Sequence, residues 1–498
     1  MSPETPQSIA RSVVMLCANC DQCRELLDDA PCQFFPRLYM LADRSRAHGT
    51  EPGDRELAEL IDMCNACGQC PCASVQLKIR EAKDAFVARD GLPLGVRLVE
   101  DVRLVGRLCG TLPSVTNALM AVKPLAGLLK RLLGIHPDRQ LPVFPPENFD
   151  AWAERRGLTE KRPATGRKVA YFVGCTARHM FPEVAKATVE VLEANGITVW
   201  MPPQTCCGMP TYLEGDRDFT HRLAETNLPV LEAAIADGWD VVTACPTCSY
   251  AFKSVLAHNA RFSAERRAAV TEMLAEEGGD VARVKARLEA EALAPTGRVS
   301  SAAAGFHATW ILNQIAMRPY AGEGLDDGYF ADLDAKRRIA VASHTWELGE
   351  FLRDLARTGE LRPVEAISTE KLAYFPPCHL REQGIGHPWS ELLAAVPATR
   401  VETVGRSDDC CGLGGVMGYK TTFHFASLAM GRGLMARTEA AAPDRVVTEC
   451  LGCRVQFQQM TAHPVSHPVE LLAAAYRAAD AAPGTPPPTD GEGGRPTP

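Results

Sequence analysis

A five-cysteine pattern used twice constrains this chain more than any other feature. The first copy runs Cys175, then Cys206-Cys207-Gly208, then Cys245-Pro-Thr-Cys248; the second runs Cys378, Cys410-Cys411-Gly412 and Cys450-Leu-Gly-Cys453. The lone cysteine leads the pair by 31 positions in one copy and 32 in the other, and the pair leads the closing Cys-x-x-Cys by 38 and 39. Agreement to within one residue throughout means two related half-domains. In each, an apolar run delivers the lone cysteine (168–173; 371–375), a helical stretch follows (184–194; 389–396), and a second short strand precedes the pair (197–201; 400–404). A third apolar run (240–243; 445–448) ends at Cys-x-x-Cys. Strands alternating with helices predict parallel α/β layers, with every cysteine of the pattern at or just beyond a strand's carboxyl end, where open α/β sheets bind their ligands.

Five thiolates on three chain segments suit an iron-sulfur cluster better than a small structural zinc site. Zinc stays open as an alternative, because four of the five could close a tetrahedral four-cysteine set. Disulfides fit poorly: the N-terminus shows no basic segment followed by an apolar core and a cleavage site, so a reducing, cytoplasmic setting is expected.

The amino-terminal part carries a second cysteine system, Cys17, Cys20 and Cys23 with Cys32 further on, and Cys64, Cys67 and Cys70 with Cys72. Each triplet is Cys-x-x-Cys-x-x-Cys, the start of the bacterial ferredoxin run, in which a fourth cysteine comes from the other motif. The expectation is two 4Fe-4S clusters, one on Cys17, Cys20, Cys23 and Cys72, the other on Cys64, Cys67, Cys70 and Cys32. Leu27 and Ser74 occupy the usual places of the fourth cysteine, so Cys32 and Cys72 stand in as substitutes. A third cysteine in each triplet is a spacing zinc ribbons do not need.

Two ferredoxin-type motifs, a linker and two Cys-Cys-Gly modules together resemble the iron-sulfur subunits of anaerobic glycerol-3-phosphate dehydrogenases. More broadly they are similar to the cysteine-rich subunits of heterodisulfide reductase and glycolate oxidase. The resemblance extends to the linker, from Leu112-Pro113 through Lys123-Pro124-Leu125 to Leu141-Pro142, and to Tyr171-Phe172-Val173-Gly174-Cys175 and Pro377-Cys378-His379. It implies a helical ferredoxin module exchanging electrons with two further iron-sulfur clusters in the Cys-Cys-Gly modules, where some relatives hold zinc. It also implies a flavoprotein dehydrogenase partner and a quinone or other carrier as acceptor. Disulfide reduction at the Cys-Cys-Gly clusters, as in heterodisulfide reductase, is an alternative, and a zinc-holding interaction scaffold without redox role is a third.

Nothing in the sequence supplies a hydride acceptor of its own. There is no dinucleotide fingerprint or P-loop; Gly412-Leu413-Gly414-Gly415 lacks the required turn, and its glycines suit close approach of backbone to a cluster. Oxidising an alcohol carbon needs flavin or nicotinamide, so substrate oxidation is expected on a partner chain, with no catalytic residue here. Cys109, outside every motif, reads as a buried structural thiol. His379 follows a cysteine of the pattern and could tune it by hydrogen bonding or merely cap a helix; His344 is not assigned as a ligand.

The resulting organisation is α+β and multidomain. It comprises a helical ferredoxin-type domain (1–110), a helical linker (111–165), the first cysteine-rich domain (166–260), a helical connecting insertion (261–366), the second cysteine-rich domain (367–480) and a disordered tail (481–498) rich in Pro, Gly and Thr. Within the insertion, 265–287 reads as a charged surface helix. A net charge of -8 without long runs argues against nucleic-acid binding. No run of 18 apolar residues spans a membrane. The helix over 124–133, however, places Leu125, Leu128, Leu129, Leu132 and Leu133 on one face, with Lys123, Lys130 and Arg131 at its margins. Such a stripe usually packs on its own domain, yet the same pattern fits peripheral contact with a lipid interface, here the cytoplasmic face of the inner membrane.

Overall fold

Among the described residues, eight short strands form two four-stranded sheets of the same design. In this computed structural model, which describes residues 4–20, 24, 32–67, 73–260, 263–293, 328–364 and 368–481, the first sheet comprises β1 (Lys168–Tyr171), β2 (Thr198–Trp200), β3 (Asp240–Thr243) and β4 (Thr345–Glu347). Its order is β2-β1-β3-β4, all parallel. The second comprises β5 (Lys371–Tyr374), β6 (Arg400–Thr403), β7 (Arg445–Val447) and β8 (Val465–Ser466), in the order β6-β5-β7-β8, again parallel. The central strands β1, β3, β5 and β7 are almost wholly buried, which is why they read as unbroken apolar runs rather than as alternation.

This strand order puts a topological switch point between β1 and β3, and its counterpart between β5 and β7. The chain leaves β1 to one side and returns past it to β3, so the loops after these two strands open a crevice between them. Cys175 follows β1 and Cys245 follows β3; Cys378 and Cys450 follow β5 and β7.

The fourth strand of each sheet is not apparent from the repeat. β4 lies in the stretch expected as a helical connecting insertion. That stretch also supplies the helices Ala264–Glu276, Val281–Leu293, Ala335–His344 and Leu348–Thr358. The single helix expected over 265–287 is two, broken at Gly278 and Gly279, both with positive φ. The remaining part of the insertion, 294–327, and the tail beyond 481 lie outside the described residues.

The two sheets share one core. Tyr171, Val242 and Trp346 of the first pack in the same apolar cluster as Leu372, Tyr374 and Val447 of the second. The helix Pro182–Ala194 lies against Pro468–Ala481, and the His467 ring meets the Ala244 carbonyl at 2.9 Å.

The described amino-terminal residues are helical: Pro6–Ala18, Phe34–His48, Asp54–Asp62 and Ala73–Asp90 enclose their own core around Val13, Leu38, Leu57 and Ile79. A buried ion network fastens them to both sheets' modules. Lys83 Nζ donates to the carbonyls of Cys64 and Leu213 (3.1 and 2.9 Å), and Lys420 Nζ meets Asp62 at 2.8 Å and Glu214 at 2.5 Å.

The last part of the stretch expected as the ferredoxin-type domain and the start of the expected linker run on as one series of short helices, here together called the linker helices, Leu94–Glu100, Val102–Thr111, Pro113–Ala121 and Lys123–Leu132, punctuated by Pro93, Pro113 and Pro124. Its leucine stripe does not pack away: Leu128 and Leu132 are 56% and 74% exposed, and Ala126 is the sole buried residue of that helix. Just after that helix the chain is tied to the second module, by a bridge between Ile135 and Lys420 and by Arg139 donating to Gln456 at 2.7 Å.

Candidate metal centre

In each module the fold gathers the five cysteines of the pattern into one connected set of sulfurs. In the first, Cys206 donates to Cys175 at 3.5 Å, Cys206 and Cys248 both hydrogen-bond Cys207, and Cys248 also meets Cys245. In the second, Cys453 donates to Cys411 at 3.2 Å, Cys410 joins Cys378 to Cys411, and Cys450 meets Cys453. The two sets have identical connectivity, as the duplicated spacing requires. Among the described residues no cysteine is in a disulfide, and no group of three or more His, Cys, Asp or Glu is preassembled around a single ion.

The thiols in each set differ in acidity by position. Hydrogen bonds from Cys206 and Cys248 pull Cys207 down to about 6, and those from Cys410 and Cys453 do the same for Cys411. Their neighbours Cys175, Cys248, Cys378 and Cys453 are pushed well up by hydrogen bonding to another sulfur and by burial. The second cysteine of each pair is thus drawn toward thiolate, the form that binds metal, and in the second set the hydrogen bond with Cys453 also pulls Cys450 down, to about 7.

Backbone geometry brings the sulfurs this close. Gly174 has φ 76°, and a Cβ there would sit 3.2 Å from Cys248 Sγ, so the turn after β1 can pass the sulfur only as glycine. Gly412 has φ 91°, but the tight approach it permits is to the helix His424–Ala440, where a Cβ would meet Ser427 O at 2.1 Å. That glycine seats the pair against a helix.

The two sets are adjacent. Thr247, inside the first Cys-x-x-Cys, hydrogen-bonds Cys450 of the second module, and its hydroxyl lies 3.0 Å from His379 Nδ1. His379 also stacks on Tyr250 at 4.9 Å, and burial lowers its pKa to about 4, so it is a neutral bridge between modules. Gln383 Nε2 reinforces the contact by donating to Pro246 O and Ser249 Oγ. Thr247 carried no sequence signal, because its partners are about 130 and 200 positions away. His344 is buried with Nδ1 on the Ala340 carbonyl, at no cysteine.

A single cavity of about 300 Å³ connects the sets, touching Cys175, Cys207, Cys248, Cys378, Cys411 and Cys453. Cys67 of the amino-terminal module reaches the same cavity. Cys109 lines it too and is only half-buried, against the expectation of a buried structural thiol. Of the ferredoxin-type residues, Cys17 is buried in the helical core, Cys20 is turned on the Cys17 carbonyl, and Cys32 and Cys64 flank that core within electrostatic reach of each other. Cys23, Cys70 and Cys72 lie outside the described residues.

Comparison with known proteins follows the same division. The family profile of the CCG cysteine-rich domain matches residues 169–253 and again 372–458, each spanning the five cysteines and the first three strands of one sheet but not β4 or β8. This chain carries two CCG cysteine-rich domains. Similarity to curated proteins extends over longer stretches of the chain. An anaerobic glycerol-3-phosphate dehydrogenase subunit of Escherichia coli is 24% identical over 374 residues, covering 75% of this chain and 74% of the relative. A fumarate reductase (CoM/CoB) subunit of Methanothermobacter marburgensis is 21% identical over 59% of this chain and 42% of its own length. A probable glycolate oxidase iron-sulfur subunit of Bacillus subtilis is 25% identical over 43% of this chain and 51% of its own. The two-CCG-domain chain is therefore similar to subunits of oxidoreductases that act on different substrates.

Proposed function

We propose that this chain is an iron-sulfur electron-transfer subunit of a flavoprotein dehydrogenase complex. The observation that carries the reading is the pair of equivalent five-sulfur sets at two sheet switch points, both opening on one cavity that Cys67 also lines. The donor chemistry fits: five soft ligands per site, with the second cysteine of each pair drawn toward thiolate, beside a largely apolar wall. Cys175, Cys206, Cys207, Cys245 and Cys248 would hold one group, and Cys378, Cys410, Cys411, Cys450 and Cys453 the other.

In the amino-terminal module Cys17, Cys20, Cys23 and Cys72 would hold one 4Fe-4S cluster and Cys64, Cys67, Cys70 and Cys32 a second. The proximity of Cys32 to Cys64 supports that crossed pairing. When bound, such groups supply one-electron carriers. The chain's own residues keep them close and dry: Thr247 and His379 lock one module's sulfurs to the other's, and Lys83 and Lys420 hold the amino-terminal module against both.

The relatives' names as dehydrogenase, reductase and oxidase subunits support a flavoprotein partner for the substrate chemistry. Peripheral contact with the cytoplasmic membrane face is supported by the exposed leucines of the helix Lys123–Leu132 and its flanking Lys123 and Arg131. Among the described residues no helix is long and apolar enough to cross a membrane.

The test is iron, zinc and acid-labile sulfide content of anaerobically purified protein, with low-temperature electron paramagnetic resonance of oxidised and reduced forms. Roughly sixteen irons, at four per cluster, with two kinds of signal are expected. Cys207→Ser and Cys411→Ser should each abolish one signal and spare the ferredoxin-type signals. Zinc without sulfide in the CCG modules would overturn the reading in favour of a scaffold, and disulfide turnover with an artificial donor and no flavoprotein would overturn it in favour of a disulfide reductase.

A further inference from the structure

The two cysteine sets match in connectivity but not in the donors that reach them. Aligning the closing motifs, Cys245-Pro246-Thr247-Cys248 against Cys450-Leu451-Gly452-Cys453, puts Gly452 where the first copy has Thr247. The residue after the lone cysteine differs as well, Thr176 in the first copy and His379 in the second. Thr247 and His379 meet at the junction of the modules, and together they act on one sulfur.

That sulfur is Cys450. It caps the ten-residue helix Leu451–Met460, accepting from the Cys453 amide at 3.5 Å and from the Gly452 amide. The Thr247 hydroxyl adds a donor from the other module. A hydroxyl has one hydrogen and two lone pairs, so it can donate to the sulfur while accepting from His379 Nδ1–H, 3.0 Å away. His379 is held for this by its stacking on Tyr250, and its helical turn by Gln383 Nε2, which donates across the junction to Pro246 O and Ser249 Oγ. The second module cannot return the bond in kind. Gly452 has no hydroxyl to offer Cys245, which begins the five-residue helix Pro246–Tyr250 without a side-chain capping bond. Thr176, in the place of His379, stays within its own module, a long 3.9 Å from Cys175 Sγ.

A hydrogen bond to a coordinating sulfur stabilises the reduced form more than the oxidised one, because the positive end of the donor faces the added negative charge, so it raises the reduction potential. From this asymmetry we infer that Thr247 of the first module is a positioning residue for the group held by the second, and that its hydroxyl makes the second group the easier of the two to reduce. The inference rests on the electron-transfer reading above. It adds that the duplicated sites are unequal, and that the second is incomplete without a side chain of the first module.

The experiment is a redox titration of the anaerobic full chain followed by electron paramagnetic resonance, with the two CCG signals assigned by Cys207→Ser and Cys411→Ser. The second-set signal should titrate at the higher potential. Thr247→Val keeps the branched shape and removes the hydroxyl. It should move the oxidised-to-reduced ratio of the second-set signal about tenfold toward oxidised at fixed potential, or about 59 mV for one electron, with iron content and the first-set signal unchanged. Thr247→Ser should restore the wild-type potential. His379→Phe should shift the same signal in the same direction by less, whereas His379→Asn, which keeps a donor near the Nδ1 position, should not. Equal potentials or the opposite order in the wild type would overturn the inference. So would a Thr247→Val chain whose second-set signal stays in place or whose first-set signal moves instead, since a merely structural threonine on the first module's loop would act on its own set. Should Thr247→Val fail to load iron, the two His379 variants decide by the same shifts. Iron and sulfide are measured on every sample: their absence from the wild-type CCG modules would sink the electron-transfer reading itself, and the inference with it.

Discussion

Replacing Glu100 by glutamine should make the protein more resistant to alkaline pH. Glu100 ends the linker helix Leu94–Glu100 and is 1% exposed. No N–H or hydroxyl donates to either of its oxygens, and its polar contact is with the Asp216 carboxyl. Burial, with Asp216 and Glu214 facing it and Arg97 the opposing charge, pushes it from 4.5 up to about 9. A carboxyl whose folded pKa is raised holds its proton in the native state while the unfolded chain ionises. Its contribution is fully present below pH 4.5 and is lost as pH rises toward about 9. The slope in that window is about 1.4 kcal/mol per pH unit. Between pH 6 and pH 8 the wild type should therefore lose up to about 3 kcal/mol that Glu100→Gln keeps. The assay is thermal unfolding of both anaerobic holoproteins across that range. Every other titrating group is common to both, so the widening gap in stability isolates Glu100. Parallel curves would refute the reasoning, because they would mean that the carboxyl is solvated and ionised in the native protein.

Three other outcomes are expected. Lys420→Met should leave the buried Glu214 without its cation and cost about 3 kcal/mol, seen as earlier proteolytic release of the amino-terminal helices from the CCG domains; an unchanged digestion pattern would count against the fastening role. Gly412→Ala puts a Cβ 2.1 Å from Ser427 O at φ 91°, and should destabilise the second CCG domain by more than about 3 kcal/mol, with loss of its metal signal alone, whereas Gly134→Ala, with nothing within 4 Å, should retain both signals. Leu128→Ser with Leu132→Ser should reduce flotation with anionic vesicles and leave iron content unchanged, and undiminished flotation would assign membrane contact to another face.

Much of the candidate site was legible because its information is local. The strands β1, β3, β5 and β7 are short apolar runs that end at a cysteine, and they fall within a residue or two of where the pattern put them. β4 and β8 were not legible. Thr345–Glu347 and Val465–Ser466 are too short to show a period, and only the open edge of a neighbouring strand makes them strands. The linker helix misled in a different way. Periodicity identifies an apolar face but does not say what covers it, and in this fold Leu128 and Leu132 are left uncovered.

Thiolate count and strand-loop spacing are properties of contiguous chain, so the duplication, the sulfur inventory and the place of each cysteine of the pattern beyond a strand could be read from the residues alone. Only the tertiary structure decided that Thr247 and His379 join one module's sulfurs to the other's, that Lys420 binds Asp62 and Glu214 across three parts of the chain, and that the linker closes an uncharged cavity over both sets. Those contacts link residues hundreds of positions apart. They arise from how the two sheets pack into one core, a choice made by the burial of Tyr171, Trp346, Tyr374 and Val447 together rather than by any motif.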